Sequence, residues 1–244
     1  MAKPEMPRLQ QVRANLSEVA NEQIARSLQR FFKTRPGEYG EGDRFLGIRV
    51  PHLRKLARAH RSLDRSGVLE LLHSQWHEER MLALLIMVEQ FRRGSDADRE
   101  GIYRMYLENT DHINNWDLVD TSAEHVVGGY LSPENMAPLR LLADSSSIWE
   151  RRIAIMSTFA WIRRGTFGPT LEIAERLLGD SHDLIHKAVG WMLREVGNRD
   201  RVVEETFLRK HQRHMPRTML RYAIERFPPE LRRQYMKGEF APPV

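Results

Sequence analysis

Cysteine is absent from all 244 residues. That removes disulfides, thiolate nucleophiles and cysteine-ligated zinc or iron–sulfur sites together. No apolar run approaches the roughly 20 residues that span a bilayer. The start, Met1-Ala-Lys-Pro-Glu-Met-Pro7, has no apolar signal-peptide core, so a soluble, cytoplasmic protein is expected. The phosphate-loop order G-x-x-x-x-G-K-[ST] is missing too. The glycine-rich passage Thr34–Asp43 does not have it and follows no strand, so it reads as a turn-rich connection. Period-2 alternation is lacking throughout, which leaves an all-α chain.

What is present is a well-solvated globular composition, 41% hydrophobic and 29% charged. The net charge of +5 and a sequence pI near 9.7 favour a polyanionic partner without choosing between nucleic acid and an anionic surface. Residues 1–15 read as a loose lead-in, and a helical pattern runs from Ser17 to about Lys33. Pro51 opens a helix to about His60 that carries Arg54, Lys55 and Arg58 just after Arg49, a candidate phosphate-facing element. Helices then follow at about 66–74, 77–93, 96–108, 111–130, 133–143, 148–164, 167–179, 182–197, 200–211, 215–227 and 229–236, punctuated by Gly, Ser and Pro.

A weak repeat aligns Glu79-Arg80 with Arg151-Arg152 and His186-Lys187, each ahead of an apolar helix. Arg152 and Lys187 are 35 residues apart, and Arg80 lies 72 before Arg152. A period of about 35–40 with two helices per unit marks a helical solenoid of HEAT type. The expected architecture is therefore one domain over 1–244, a curved stack of antiparallel helix pairs with a concave groove; a compact irregular bundle is the alternative.

Within that pattern the stretch Asn114-Asn-Trp-Asp-Leu-Val-Asp120 stands out. Trp116 and Asp120 share a helix face, with Asp117 adjacent. A flat π-surface one turn from a carboxylate suits a partly cationic ligand and can stabilise developing positive charge. Trp149 with Arg152 and Trp191 with Arg194 repeat the pairing of an aromatic with a polar partner. Indole planes alternating with guanidinium groups suit a nucleic-acid groove. Tryptophans in the core with flanking arginines are the bland alternative. Lys187, Arg217 and Arg221 belong to a basic surface that could contact phosphates; a solvated face interleaved with glutamates is the alternative. His182-Asp-Leu-Ile-His186 imitates a metal helix, but has Asp for Glu and no third ligand, so no metal is expected. His73, His77, His211 and His214 read as surface histidines.

Asn115-Trp116-Asp-Leu-Val-Asp120, Ile148-Trp149-Glu-Arg-Arg152 and Lys187-Ala-Val-Gly-Trp191-Met-Leu-Arg194 together resemble the AlkD-like DNA alkylation repair glycosylases, built from HEAT-like repeats. The resemblance covers most of the chain, from Phe45 to about Arg226. It implies an enzyme that excises N3- and N7-alkylpurines from double-stranded DNA; no cofactor is expected, and a repeat stack that ends its own faces can be monomeric. It assigns Asp120 as the catalytic carboxylate, Trp116 and Trp191 as aromatic walls beside the deoxyribose, and Arg152 and Arg194 as lesion-side arginines. It also implies that the lesion need not swing into a pocket. Three features depart from the pattern: Asn115 stands where a second tryptophan can occur, Ser27 or Phe31 stands near a family tyrosine, and the 35–43 segment is longer. Relatives that bind distorted or branched DNA without excision supply a second reading, and a HEAT-type protein scaffold a third.

Overall fold

The structure, a computed structural model, describes residues 8–239. All regular elements among them are helical, as expected, and an isolated bridge pairs Arg44 with Trp76. Two compact units divide the chain, residues 1–122 and 123–244, with the boundary inside one helix.

The first unit holds α1 (Arg8–Val19), α2 (Glu22–Phe31), α3 (Val50–Ala59), α4 (Arg65–Leu72), α5 (His77–Arg93) and α6 (Asp96–Leu107), a 3-10 turn at Thr110–His112, and the start of α7 (Trp116–Tyr130). Much of the expected lead-in is thus helix: α1 begins at Arg8, and residues 1–7 lie outside the described ones. The reason is tertiary. Val12 and Leu16, one turn apart, are fully buried. Arg13 reaches Glu70 at 2.7 Å and Glu79 at 3.2 Å, and Asn15 meets His60 at 3.0 Å. The single helix expected from Ser17 is broken, because Asn21 caps α2 by accepting from the Ile24 N–H at 3.0 Å. At its centre α5 is buried on nearly every side, with Met81 to Val88 all in the core; α3 and α4 pack against it.

The second unit holds the rest of α7, then α8 (Ala137–Ala143), α9 (Ile148–Ser157), α10 (Phe159–Ile162), α11 (Gly168–Arg176), α12 (Asp183–Gly197), α13 (Arg201–His211), α14 (Arg217–Ala223) and α15 (Pro229–Lys237). Here α8 packs on α9, and α12 packs on both α9 and α14. Gly190 makes the α12–α14 approach possible, since a Cβ there would lie 2.4 Å from the Met219 carbonyl oxygen.

Three helix starts share one turn geometry, one residue out of the register that the charge pattern suggested. Ahead of α5, α9 and α12, a side chain accepts the backbone N–H two residues on: Ser74 from Trp76 at 3.1 Å, Ser145 from Ser147 at 3.0 Å, and Asp180 from His182 at 2.7 Å. Six residues after each, a cationic or imidazole side chain donates back to that turn's carbonyl. Arg80 reaches Ser74 at 2.9 Å, Arg151 reaches Ser145 at 2.9 Å, and His186 reaches Asp180 at 2.5 Å. The equivalent positions are therefore 80, 151 and 186, spaced 71 and 35, where the charge pattern had aligned Arg152 and Lys187. Reach to a turn carbonyl, not sign of charge, defines the repeat.

Glu204 is buried at the start of α13, and its Oε1 meets no hydrogen-bond partner among the described residues. Its carboxylate lies where a side chain on Gly197 would go: a Cβ there would sit 1.6 Å from Glu204 Oε2. Burial raises its pKa from 4.5 to about 8, against the opposing pull of Arg201 and Arg194. Because the folded value is the higher one, the associated stability is present below about 4.5 and lost as the pH rises through about 8. Glu204→Gln is expected to melt above the parent by a margin that widens between pH 5 and 8. Thermal denaturation across that range checks it, and a margin that stays flat with pH would contradict the assignment.

Candidate functional site

The functional geometry in the first unit starts from a buried charge array. His77, the first residue of α5, is 3% exposed rather than on the surface. Its Nδ1 lies 2.8 Å from Asp43 Oδ2 and its Nε2 2.9 Å from Asp117 Oδ2. Each ring nitrogen faces a carboxylate, so both must donate, which requires the imidazolium. Burial alone would lower the His77 pKa, but Asp117 and Asp43 outweigh it and push it up to about 9. Burial would likewise raise Asp43, yet hydrogen bonds and charge from His77 and Arg80 hold it below the usual carboxylate range. Arg80 donates from Nη2 to Asp43 Oδ1, and Asn115, fully buried, donates to Asp43 Oδ2 at 3.2 Å. Two cations and two carboxylates balance.

This array gives the glycine-rich 34–43 segment its role: the turns deliver Asp43 to α5 and to the residue before α7. Gly37 and Gly42, at φ +79° and +80°, supply the left-handed turns. The adjoining Phe45–Ile48 segment is held by Glu78. One carboxylate oxygen accepts the N–H groups of Gly47 at 2.8 Å and Ile48 at 3.1 Å, and the other accepts from Leu46 at 2.8 Å. Gly47 tolerates no side chain, since its φ is +82° and a Cβ would lie 1.9 Å from the Asn21 carbonyl oxygen.

On this frame sits a run of aromatic rings. Phe45 stacks on His77 at 4.6 Å and on Phe32 at 5.1 Å; Phe32 stacks on Trp116 at 5.3 Å, and Phe31 meets Trp116 edge-on at 6.0 Å. Trp116 opens α7, its backbone N–H donating to Asn115 Oδ1 at 2.8 Å. A cleft of about 470 Å³ runs along these rings, and Trp116, Asp117 and Asp120 all line it. The shared face expected of Trp116 and Asp120 is therefore present, with both side chains half-buried. Phe31, 62% exposed, stands at the cleft, whereas Ser27 turns its hydroxyl back to Gln23 at 3.1 Å. Arg49 lines the cleft as well, and Arg54 and Lys55 are exposed on α3.

The remaining expected residues lie in the second unit. Trp191, half-buried on α12, donates from Nε1 to Glu195 Oε1 at 3.3 Å. Arg194 pairs with Glu225. Arg152 is buried, 5% exposed, and donates from Nη1 to the Leu184 carbonyl at 2.6 Å, tying α9 to the start of α12. Lys187 pairs with Asp183 at 2.6 Å, Arg217 donates to the Met236 carbonyl at 2.5 Å, and Arg221 is exposed. His182 caps α12 by accepting from the Leu184 N–H at 3.1 Å. Among the described residues no group of three or more His, Asp or Glu is placed to hold a metal ion, and no helix is long and apolar enough to cross a membrane.

Sequence reasoning missed Asp43, His77, Arg80 and Glu78. His77 and Arg80 at i,i+3 on one helix carried a weak signal, but their partner lies more than 30 residues upstream. No local pattern reveals that pairing.

The described residues form an all-helical protein whose first unit carries an aromatic cleft with a carboxylate one turn from a tryptophan. Residues 12–227 match the family of DNA alkylation repair enzymes, and the chain belongs to that family. A solved structure, "Predicted DNA alkylation repair enzyme from Enterococcus faecalis", has the same fold, with a TM-score of 0.65 at 14% identity over 86% of this chain and 97% of that one. No curated protein matches the chain.

Proposed function

We propose that this member of the family is a DNA N-glycosylase that releases positively charged N3- and N7-alkylated purines, the opening step of base excision repair. The observation that carries the reading is Trp116 and Asp120 lining one cleft from successive turns of α7. Alkylation places positive charge on the purine, so the base leaves with the electron pair of the N-glycosidic bond and becomes neutral. The deoxyribose is left with oxocarbenium character, which the Asp120 carboxylate stabilises while it orients the attacking water. The water oxygen bonds to C1′, and its proton passes to the carboxylate and on to solvent. A cationic leaving group removes the need for the second, acid carboxyl that glycoside hydrolases use.

Arg54 and Lys55, exposed on α3, contact phosphates of the duplex, and Lys187, Arg217 and Arg221 do so on the second unit. Trp191 and Arg194 are the second unit's DNA contacts. Arg152, buried and bonded to the start of α12, holds the helix that carries them. The protein works as a monomer in the cytoplasm, on nucleoid DNA.

Incubating the purified protein with duplex DNA containing N7-methylguanine is expected to yield free 7-methylguanine, read by chromatography. Salt-dependent duplex binding without any free base would leave a binder of distorted or branched DNA, and the absence of both would remove DNA from the account.

A further inference from the structure

Each residue that α12 offers to DNA is already held by a carboxylate. Lys187 pairs with Asp183 at 2.6 Å, Trp191 donates from Nε1 to Glu195 Oε1 at 3.3 Å, and Arg194 pairs with Glu225. The helix that carries Arg54 and Lys55 differs, since α3 contains no acidic residue. Asp183 and Glu195 belong to α12 itself and stand four residues from their partners, the ordinary spacing of a helix-surface pair. Both are also held from a second side, Asp183 by the Thr218 hydroxyl and Glu195 by Arg199 at 2.9 Å. Glu225 is another matter. It comes from the 3-10 turn Ile224–Arg226 that follows α14, so its place on Arg194 is a product of the tertiary structure.

The side chain of Arg194 is 18% exposed and that of Glu225 is 53% exposed. The acid therefore lies on the solvent side of the cation and covers it. Glu204, the other acid near Arg194, is buried with its pKa pushed up to about 8, so it is mostly protonated at neutral pH. That leaves Glu225 as the carboxylate that neutralises Arg194. A carboxylate and a phosphodiester take the same N–H donors of a guanidinium, and the two exclude each other. We propose that Glu225 is an intramolecular competitor of DNA, seated on Arg194 where a backbone phosphate would bind, so that a duplex engages this arginine only by displacing it. The assignment rests on Arg194 being a DNA contact. Contact through the second unit then carries the cost of opening an ion pair, whereas α3 has no acid of its own to displace. An exposed pair is weak, so this cost trims affinity by a few-fold and does not abolish it. Its use is to loosen the hold on undamaged duplex, which vastly outnumbers any specific site in a genome.

The test is a double-mutant cycle on the full chain, read by filter binding to an undamaged duplex over a series of salt concentrations. Glu225→Gln is expected to tighten binding by about two- to fivefold at low salt. It is also expected to steepen the slope of log K against log salt by about 0.9, the signature of one added phosphate contact. Glu225→Ala, which removes the acceptor as well as the charge, is expected to give the same gain. In an Arg194→Gln background neither substitution is expected to add anything. A gain that persists without Arg194 would be the general effect of deleting a negative charge, and it overturns the inference. So do Glu225 variants with the parent's affinity and slope. A parent protein that binds no duplex at low salt removes the DNA-contact reading and this inference with it. Duplex binding and release of 7-methylguanine by the parent, with no change in Glu225→Gln, keep that reading and remove only this one.

Discussion

Asp120→Asn is expected to lower single-turnover release of 7-methylguanine from duplex DNA by at least about 10²–10³-fold, the usual cost of losing one preorganised electrostatic contact to a transition state. The substitution is isosteric, so the cleft along Trp116 keeps its shape while the negative charge is lost. Affinity for the same duplex is expected to change little, or to rise slightly as an acid is removed from the path of phosphates. The effect therefore appears in the rate of the bond-breaking step and not in the fraction of DNA bound, which quench-flow and a filter-binding titration separate. An Asn variant that releases base at the parent rate would leave Asp120 without a catalytic role.

The second large effect concerns His77 and is one of stability. His77→Leu removes the only imidazolium between Asp43 and Asp117 and leaves the two carboxylates facing an apolar side chain. Removing one partner of a buried ionic array typically costs about 3–5 kcal/mol, because the charge left behind has lost both water and its counter-ion. Urea unfolding is expected to show a loss of that order, and a loss below about 1 kcal/mol would mean that the array is not charged as described. The parent protein carries a matching pH signature. The folded pKa of His77, about 9, stands above its ordinary 6.5, so its contribution is complete below 6.5 and lost as the pH rises through about 9. A rise of that size corresponds to roughly 3 kcal/mol, describing the same interaction from its other side and not an addition to it. Stability measured from pH 6 to 10 should fall in the parent between about 6.5 and 9 and level off above, and should show no such fall in His77→Leu.

The array also ties function to fold. Asp117 is held through His77, Trp116 is set by Asn115, and Asn115 and His77 both converge on Asp43. Loss of His77 should therefore loosen the first turn of α7, where Trp116 begins the cleft. Its effect on base release should exceed what the unfolded fraction alone explains.

The helical class, most helix positions from α3 onward and the shared face of Trp116 and Asp120 were legible in the residues, because each rests on periodicity within one helix, whereas the helix expected over 148–164 is broken into α9 and α10 and the one expected over 111–130 starts only at Trp116. The repeat was legible as a period but not as a register. Charge placed Arg152 and Lys187 in line with Arg80, whereas the turn carbonyls at Ser74, Ser145 and Asp180 select Arg80, Arg151 and His186. Tertiary structure alone decided that Arg8–Val19 is helix, that His77 is buried and charged, that Arg152 is inside, and that the glycine-rich turns exist to deliver Asp43. Each depends on a partner more than 20 residues away, and the energy of a buried ion pair or a packed ring comes from what surrounds it in space, which no local spacing records.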